Sequence, residues 1–326
     1  MTLKIGIPRT LLFFYYYPFC KTFFEYLELE VVLSDKTNKK IVNDGLNKSV
    51  NDLCLPIKVL YGHIENLKEK KVDYILMPYI LTTDGKSYLC PKLIGSPDII
   101  KATFDDISLI TPDIDMGNPY SSLYYSSKEL IKILGLKSIK LYHAYKEAIK
   151  TQTKFDKLIA KGYLFEEAIK ILFFNKKIKQ TKHKKTIAIV AHPYILHDEF
   201  INGKIIEELK NNKINIVNSD MLREEDIEKN LKIIPKIPHW KLGNRVLGSS
   251  IYFSKKKNID GIIYLMPFGC SSDSIIKEYM QNLIKKNKPF MTITLDEHSG
   301  HSGVITRIEA FLDIIKNENS MLSNWE

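Results

Sequence analysis

Two sets of residues in this 326-residue chain have types and spacing suited to chemistry. The first is three cysteines. Cys54 sits in Asn51-Asp52-Leu53-Cys54-Leu55-Pro56-Ile57-Lys58, Cys90 in Tyr88-Leu89-Cys90-Pro91-Lys92, and Cys270 in Met266-Pro267-Phe268-Gly269-Cys270-Ser271. Pro or Gly adjoins or nearly adjoins each one, and each lies beside a predicted regular element. A thiolate just ahead of a helix is stabilised by the helix dipole and its unpaired N–H groups. Thiolates favour iron–sulfur clusters or zinc. Three of them leave one tetrahedral position open for water, substrate or a sulfide shared with another iron cube. The competing reading is three small core residues, because unpaired Cys is among the most buried types. No Cys-x-x-Cys occurs, which excludes a ferredoxin run, a zinc ribbon and a thioredoxin motif. Cys20 lies within an aromatic helical stretch and reads as core.

The second set is Asp296-Glu297-His298-Ser299-Gly300-His301-Ser302-Gly303. Glu297 and His298 are the candidate acid–base pair here; the same cluster also suits metal binding. The two glycines ahead of a helix suit an anion. An ordinary strand–helix turn with Ser302 as N-cap explains the segment equally well. Further positions are Pro8-Arg9-Thr10 at the first strand end, His192-Pro193-Tyr194 at a later one, and Pro238-His239-Trp240 ahead of Gly243-Asn244-Arg245. Arg9 suits either an anion or a structural ion pair. His192 reads either as facing the cleft or as a merely exposed loop histidine, and Trp240 as packing rather than chemistry. A P-loop, a Gly-x-Gly-x-x-Gly run and a nucleophile elbow are all missing from the sequence.

These residues need elements to hold them. Strands are predicted at Lys4–Pro8, Glu30–Ser34, Asp73–Pro78 and Ile107–Thr111. Helices are predicted at Thr10–Leu29, Lys39–Val50, Pro56–Lys70, Pro97–Phe104 and over most of 120–173. Residues 176–185 hold six lysines and cannot be core. The alternation then restarts with strands at Thr186–Ala191, Ile214–Asn218, Gly261–Met266 and Phe290–Leu295. Helices follow at Glu199–Lys210, Arg245–Lys255, Ser274–Lys286 and Gly303–Lys316. Strands alternating with helices imply βαβ units and parallel sheets. The expected fold is therefore α/β: two Rossmann-like (flavodoxin-like) domains with parallel sheets flanked by helices. Residues 1–175 carry Cys54 and Cys90, 176–185 form a basic linker, and 186–326 carry Cys270. Only the architecture repeats, with no residue-level repeat evident. Ligands collect at the carboxyl ends of strands in such sheets, so a cluster in the cleft between the two domains is the expected arrangement.

Composition narrows the class. The chain is 44% hydrophobic and 26% charged, an ordinary globular balance that needs no disulfide scaffold. The net charge of +10 comes from lysines spread over predicted helices and the linker. It reads as solvated surface, and with no binding motif beside it nucleic acid is disfavoured. The aromatic run Phe13–Phe19 has no basic region before it and no small-residue cleavage site after it. No apolar run reaches the ~20 residues of a membrane span. A cytoplasmic, reducing location is expected, where loop cysteines serve as ligands or catalysts rather than bridges.

At these residues the chain resembles a known family. Lys4-Ile5-Gly6-Ile7-Pro8-Arg9 with Tyr15-Tyr16-Tyr17-Pro18-Phe19 is similar to the opening of the 2-hydroxyacyl-CoA dehydratase superfamily, in its acyl-CoA dehydratase activase-related branch. The segments around Cys54, Cys90-Pro91-Lys92 and Pro267-Phe268-Gly269-Cys270 resemble that branch's three cysteine motifs. Asp296–Gly300 with Thr306-Arg307 and Glu309-Ala310-Phe311 resembles its C-terminal signature, although His301-Ser302 stand where the family shows Glu-Ala. The resemblance implies Rossmann-like domains in which Cys54, Cys90 and Cys270 bind an iron–sulfur cluster. That cluster is a [4Fe–4S] cluster or half of an [8Fe–9S] double-cubane cluster in a homo- or heterodimer. It also implies an ATPase activase, with its own iron–sulfur cluster, as the low-potential electron donor. The activities implied are reduction of a small substrate or electron relay, radical dehydration of a 2-hydroxyacyl-CoA, or a non-catalytic scaffold role.

Overall fold

The computed structural model describes the backbone of residues 2–115, 119–135, 140–284 and 288–322. Parts of the expected helical stretch 120–173 (136–139) and the last two positions of the expected helix Ser274–Lys286 lie outside them. The chain divides into two compact units. Unit 1 comprises residues 1–159, 163–177 and 239–241; unit 2 comprises 160–162, 178–238 and 242–326.

Unit 1 runs β1 (Lys4–Ile7), α1 (Phe13–Tyr26), β2 (Glu30–Leu33), α2 (Lys39–Lys48), α3 (Leu55–Glu69), β3 (Tyr74–Leu76), β4 (Tyr79–Thr82), α4 (Pro91–Ile94), α5 (Ser96–Thr103), β5 (Leu109–Ile110), β6 (Asp113–Asp115), α6 (Pro119–Ile133), α7 (Leu141–Ala160) and α8 (Phe165–Phe174). Its main sheet is parallel with order β2-β1-β3-β5. The apolar strand residues Ile5 and Ile75 are buried together with Phe23 and Phe24 of α1 and Leu60, Ile64 and Leu67 of α3. Helices α2 and α3 meet at backbone distance. A Cβ on Gly62 would lie 1.8 Å from the Ile41 carbonyl oxygen, and one on Gly45 2.1 Å from that of Lys58. No other residue fits at either point. The pair β4–β6 forms a separate parallel two-stranded sheet that the sequence pattern did not predict. Both strands are too short to show a period.

Unit 2 runs β7 (Lys185–Ala191), α9 (Pro193–Leu196), α10 (Ile205–Asn211), β8 (Ile214–Asn218), α11 (Glu224–Leu231), α12 (Lys241–Ser254), β9 (Gly261–Pro267), α13 (Ser271–Ile284), β10 (Phe290–Leu295) and α14 (His301–Leu322). Its sheet is parallel with order β10-β9-β7-β8. The central strand β9 is buried along its whole length, and β7 is buried and apolar from Ile187 onward, as parallel strands under helices must be. The α/β expectation with parallel sheets is met. The last helix starts earlier than expected: it opens at His301, so Ser302 lies inside the first turn rather than at the N-cap. No helix among the described residues is long and apolar enough to cross a membrane.

The two sheets repeat one plan. In each, the first strand has the second on one side and the third on the other. The third strands also match in sequence, Tyr74-Ile75-Leu76-Met77-Pro78-Tyr79 against Ile263-Tyr264-Leu265-Met266-Pro267-Phe268. This corrects the expectation that only architecture repeats. Pairing supports the match: Ile5 faces Tyr74 and Gly6 faces Ile75, while Ile189 faces Ile263 and Val190 faces Tyr264. Extended along the chain, that register equates Pro8 with His192.

Candidate functional site

A sheet whose strand order reverses leaves a crevice beyond the carboxyl ends of the two strands at the reversal. In unit 1 those strands are β1 and β3, and in unit 2 they are β7 and β9.

In unit 2 the crevice is polar. His192 follows β7 and caps α9. After β9 the chain turns through Gly269, whose φ of 74° suits glycine, and delivers Cys270 to the start of α13. Asp273 follows in the first turn of α13. One ligand atom each from His192, Cys270 and Asp273 fall within 4.8 Å of one another. His192 is 3% exposed and Asp273 0%, which removes the exposed-loop alternative for His192. Nε2 of His192 lies 2.8 Å from Oδ1 of Asp273; the carboxylate oxygen accepts, so Nε2 carries the proton. Burial alone pushes the ring toward neutrality. The Asp273 charge and hydrogen bond, followed by Cys270, outweigh it and raise the His192 pKa. Tyr264 beneath them is fully buried. Burial first, then the charges of Asp273 and Cys270, keeps its hydroxyl protonated. His192 Nδ1, Asp273 Oδ2 and Tyr264 Oη are buried without a hydrogen bond of ordinary geometry. Such atoms are rare in native folds and need an explanation. Cys270 Sγ lies 3.2 Å from Ser272 Oγ.

In unit 1 the crevice is apolar. A cavity of about 80 Å³ is lined by Pro8, Thr10, Leu76, Pro78 and Leu93 among others, and one of about 70 Å³ adjoins Phe19, Phe24 and Ile114. Cys20 lines both, and burial pushes its thiol up to about 12, so it stays protonated. Cys54 and Cys90 lie on the loops of this unit. Cys54 is the N-cap of α3 and Cys90 of α4. Their loops are joined: Lys92 Nζ donates to the Asp52 carbonyl at 3.0 Å. The loop before Cys90 is fastened by Asp84, which accepts from the backbone N–H of Lys86 and Ser87 and pairs with Lys241 at 2.7 Å. Burial works against the Asp84 charge, but Lys241 and those N–H groups hold its carboxyl well below the usual range. The neighbouring residues His239 and Trp240 are drawn into unit 1 by backbone pairing with Tyr88.

One local device recurs. Cys54, Cys90 and His192 have nearly the same extended backbone, φ and ψ of −70° and 154°, −67° and 149°, and −67° and 147°. Each carbonyl accepts from the N–H groups three and four residues on, and each has Pro within the next two positions. None uses its side chain to cap its helix. Cys270 likewise precedes α13, and its carbonyl accepts from Ser274 N–H at 3.1 Å. The sequence signal for His192 was thus the His-Pro pair at a strand end, the counterpart of Cys-Pro.

Glu297 and His298 lie in the turn after β10. Asp296 Oδ1 accepts from His298 N–H and the Ser299 hydroxyl, and His298 is exposed. This turn neighbours the Cys270 loop, since Phe268 N–H donates to the Leu295 carbonyl at 2.7 Å. Arg245 is occupied structurally by Glu224 and the carbonyls of Ser219 and Leu222. The Arg9 backbone N–H donates to Ser34 Oγ, and its buried Nε has no hydrogen-bond partner.

Residues 4–222 match the family model described as "CoA enzyme activase uncharacterised domain". That span includes Cys54, Cys90 and His192; Cys270 lies beyond it. No curated protein matches the chain. Among solved structures, one from Listeria monocytogenes assigned as a UDP-N-acetylglucosamine 2-epimerase is similar at 11% identity. The match covers 96% of this chain and 88% of that one with a TM-score of 0.24, too low to bear on function.

Proposed function

We propose a function from the premise that this chain belongs to the CoA enzyme activase uncharacterised domain family: it is an iron–sulfur protein that takes low-potential electrons from an ATP-dependent activase. It uses them to reduce a small substrate or passes them on. Cys54, Cys90 and Cys270 are the ligands. The observation that carries this reading is the shared placement of Cys54 and Cys90. Both stand at helix N-termini within the family span, on loops tied by Lys92 and Asp52. The donor set fits the group: three thiols outside any disulfide, each preceding a helix. When bound, such a cluster supplies a one-electron donor and acceptor. The chain's own part is to hold the thiolates. Helix N–H groups favour the ionised sulfur, and the Asp84–Lys241 pair fixes the loop that carries Cys90.

Anaerobic purification with iron, sulfide and zinc analysis tests the reading. Serine at position 54, 90 or 270 is expected to remove most of the iron, and Cys20→Ser to leave it in place. Colourless protein with stoichiometric zinc, or equal iron loss from Cys20→Ser, defeats it. The apolar cavity of unit 1 favours a second reading, a 2-hydroxyacyl-CoA dehydratase subunit whose acyl group lies at the β1–β3 crevice. Saturable binding of an acyl-CoA to the iron-loaded chain supports that reading; none counts against it.

A further inference from the structure

We infer that His192 is a protein ligand of the metal group that Cys270 holds, bonding through Nδ1 with Asp273 holding the ring. The inference rests on the iron–sulfur reading above. Three cysteines leave one iron of a four-iron cluster without a protein ligand. In unit 2 a second donor stands beside Cys270: a ring nitrogen of His192 lies within 4.8 Å of the Cys270 sulfur.

Three independent features identify that donor. The first is an orphan: His192 Nδ1 is buried with no hydrogen bond of ordinary geometry in a residue only 3% exposed. Burying a polar atom unpaired is costly, and a metal bond to Nδ1 removes the cost. The second is the ring's support. Nε2–H donates to Asp273 Oδ1 at 2.8 Å, which leaves Nδ1 as the nitrogen that can bond a metal once its proton is lost. A carboxylate on the far nitrogen is the usual outer partner of a metal-bound histidine. The third is the backbone. His192 occupies the same Pro-followed N-cap conformation as Cys54 and Cys90. The equivalent position in unit 1 is Pro8, which has no donor.

Ligation balances simply. The Nδ1 proton carried by the metal-free ring leaves to solvent, the nitrogen lone pair forms the bond, and no electron is transferred. Asp273 is a positioning residue: it holds the ring through Nε2, leaving the metal to Nδ1.

The test uses the full chain, loaded with iron and sulfide under anaerobic conditions and labelled with [15N]histidine. Pulsed EPR of the reduced protein is expected to show the strong 15N coupling of a directly bonded nitrogen. His192→Gln, which keeps a donor for Asp273, is expected to abolish that coupling and to shift the reduction potential. His192→Cys is expected to retain iron while losing the coupling, and it decides the matter if the glutamine variant does not fold. Asp273→Asn is expected to keep the coupling. A loaded protein without strong 15N coupling, or a coupling that survives in both His192 variants, overturns the assignment while leaving the three cysteines standing. Failure of the wild-type chain to take up iron defeats the underlying reading and this one with it.

Discussion

Units 1 and 2 set four parallel strands in the same order, with Met77-Pro78 just after the third strand of one and Met266-Pro267 ending that of the other, yet their crevices hold opposite chemistry. In unit 1 the first strand is followed by Pro8, and the crevice is an apolar cavity of about 80 Å³. In unit 2 the same register position is His192, backed by Asp273 and facing Cys270. The buried histidines of the two units differ in the same sense. His63 of α3 is fully buried and holds Thr37 Oγ1 at 3.0 Å through Nε2. Burial, then the Arg9 charge, outweigh Asp35 and lower its pKa to about 3, so it is neutral. His192 is equally buried but has a carboxylate at 2.8 Å, which makes it cationic in the metal-free chain. One strand order thus tolerates either an apolar or a charged crevice, because ligand chemistry is grafted onto strand ends and the sheet core is left unchanged.

Four measurements sharpen or break this contrast, each read on the metal-free chain by hydrogen exchange of β3 and β9 amides so that the units are scored separately. Asp273→Ala is expected to cost unit 2 about 3–5 kcal/mol, because it strands a buried imidazolium; a loss below 1 kcal/mol refutes the charged crevice. Leu60→Ala, at a fully buried residue of the unit 1 cavity wall, is expected to cost about 3 kcal/mol in unit 1 through lost burial and a larger void. No change would mean that the wall collapses. Acidification from pH 7 to pH 5 is expected to remove about 2 kcal/mol from unit 1 through His63 alone. Below about 6.5 the unfolded chain binds a proton that the folded ring refuses, so stability falls as pH falls. His63→Gln is expected to remove that portion of the acid loss, and an unchanged pH dependence in the variant rejects a neutral His63. Gly269→Ala is expected to cost about 1–2 kcal/mol in unit 2, from a side chain placed at φ of 74°. An unaffected β9 would show that the turn before Cys270 relaxes freely.

Much of the fold was legible because apolar runs and helical spacing are local. Lys4–Ile7, Tyr74–Leu76 and Gly261–Pro267 fall where alternation placed strands, and α3 begins at Leu55, one residue ahead of the expected start at Pro56. The short strands β4 and β6 were not legible, since four and three residues carry no period. The repeat between β3 and β9 is too short to stand out as letters; the equivalent pairing of the two strands identifies it. Ser302 looked like an N-cap beside Gly303, yet the helix takes in His301 because exposed first-turn residues cost little there.

By itself the sequence determined the α/β class, the candidate thiols and their Pro- and Gly-marked turns, since these follow from residue type, spacing and chain stiffness. Only the tertiary structure decided that Lys92 ties the Cys90 helix to the Cys54 loop, and that His192 is buried on Asp273 some 80 positions away rather than exposed. The reason is physical. Whether an imidazole is solvated or desolvated, neutral or charged, depends on which remote carboxylate the packing brings within hydrogen-bonding distance, and no local pattern encodes that distance.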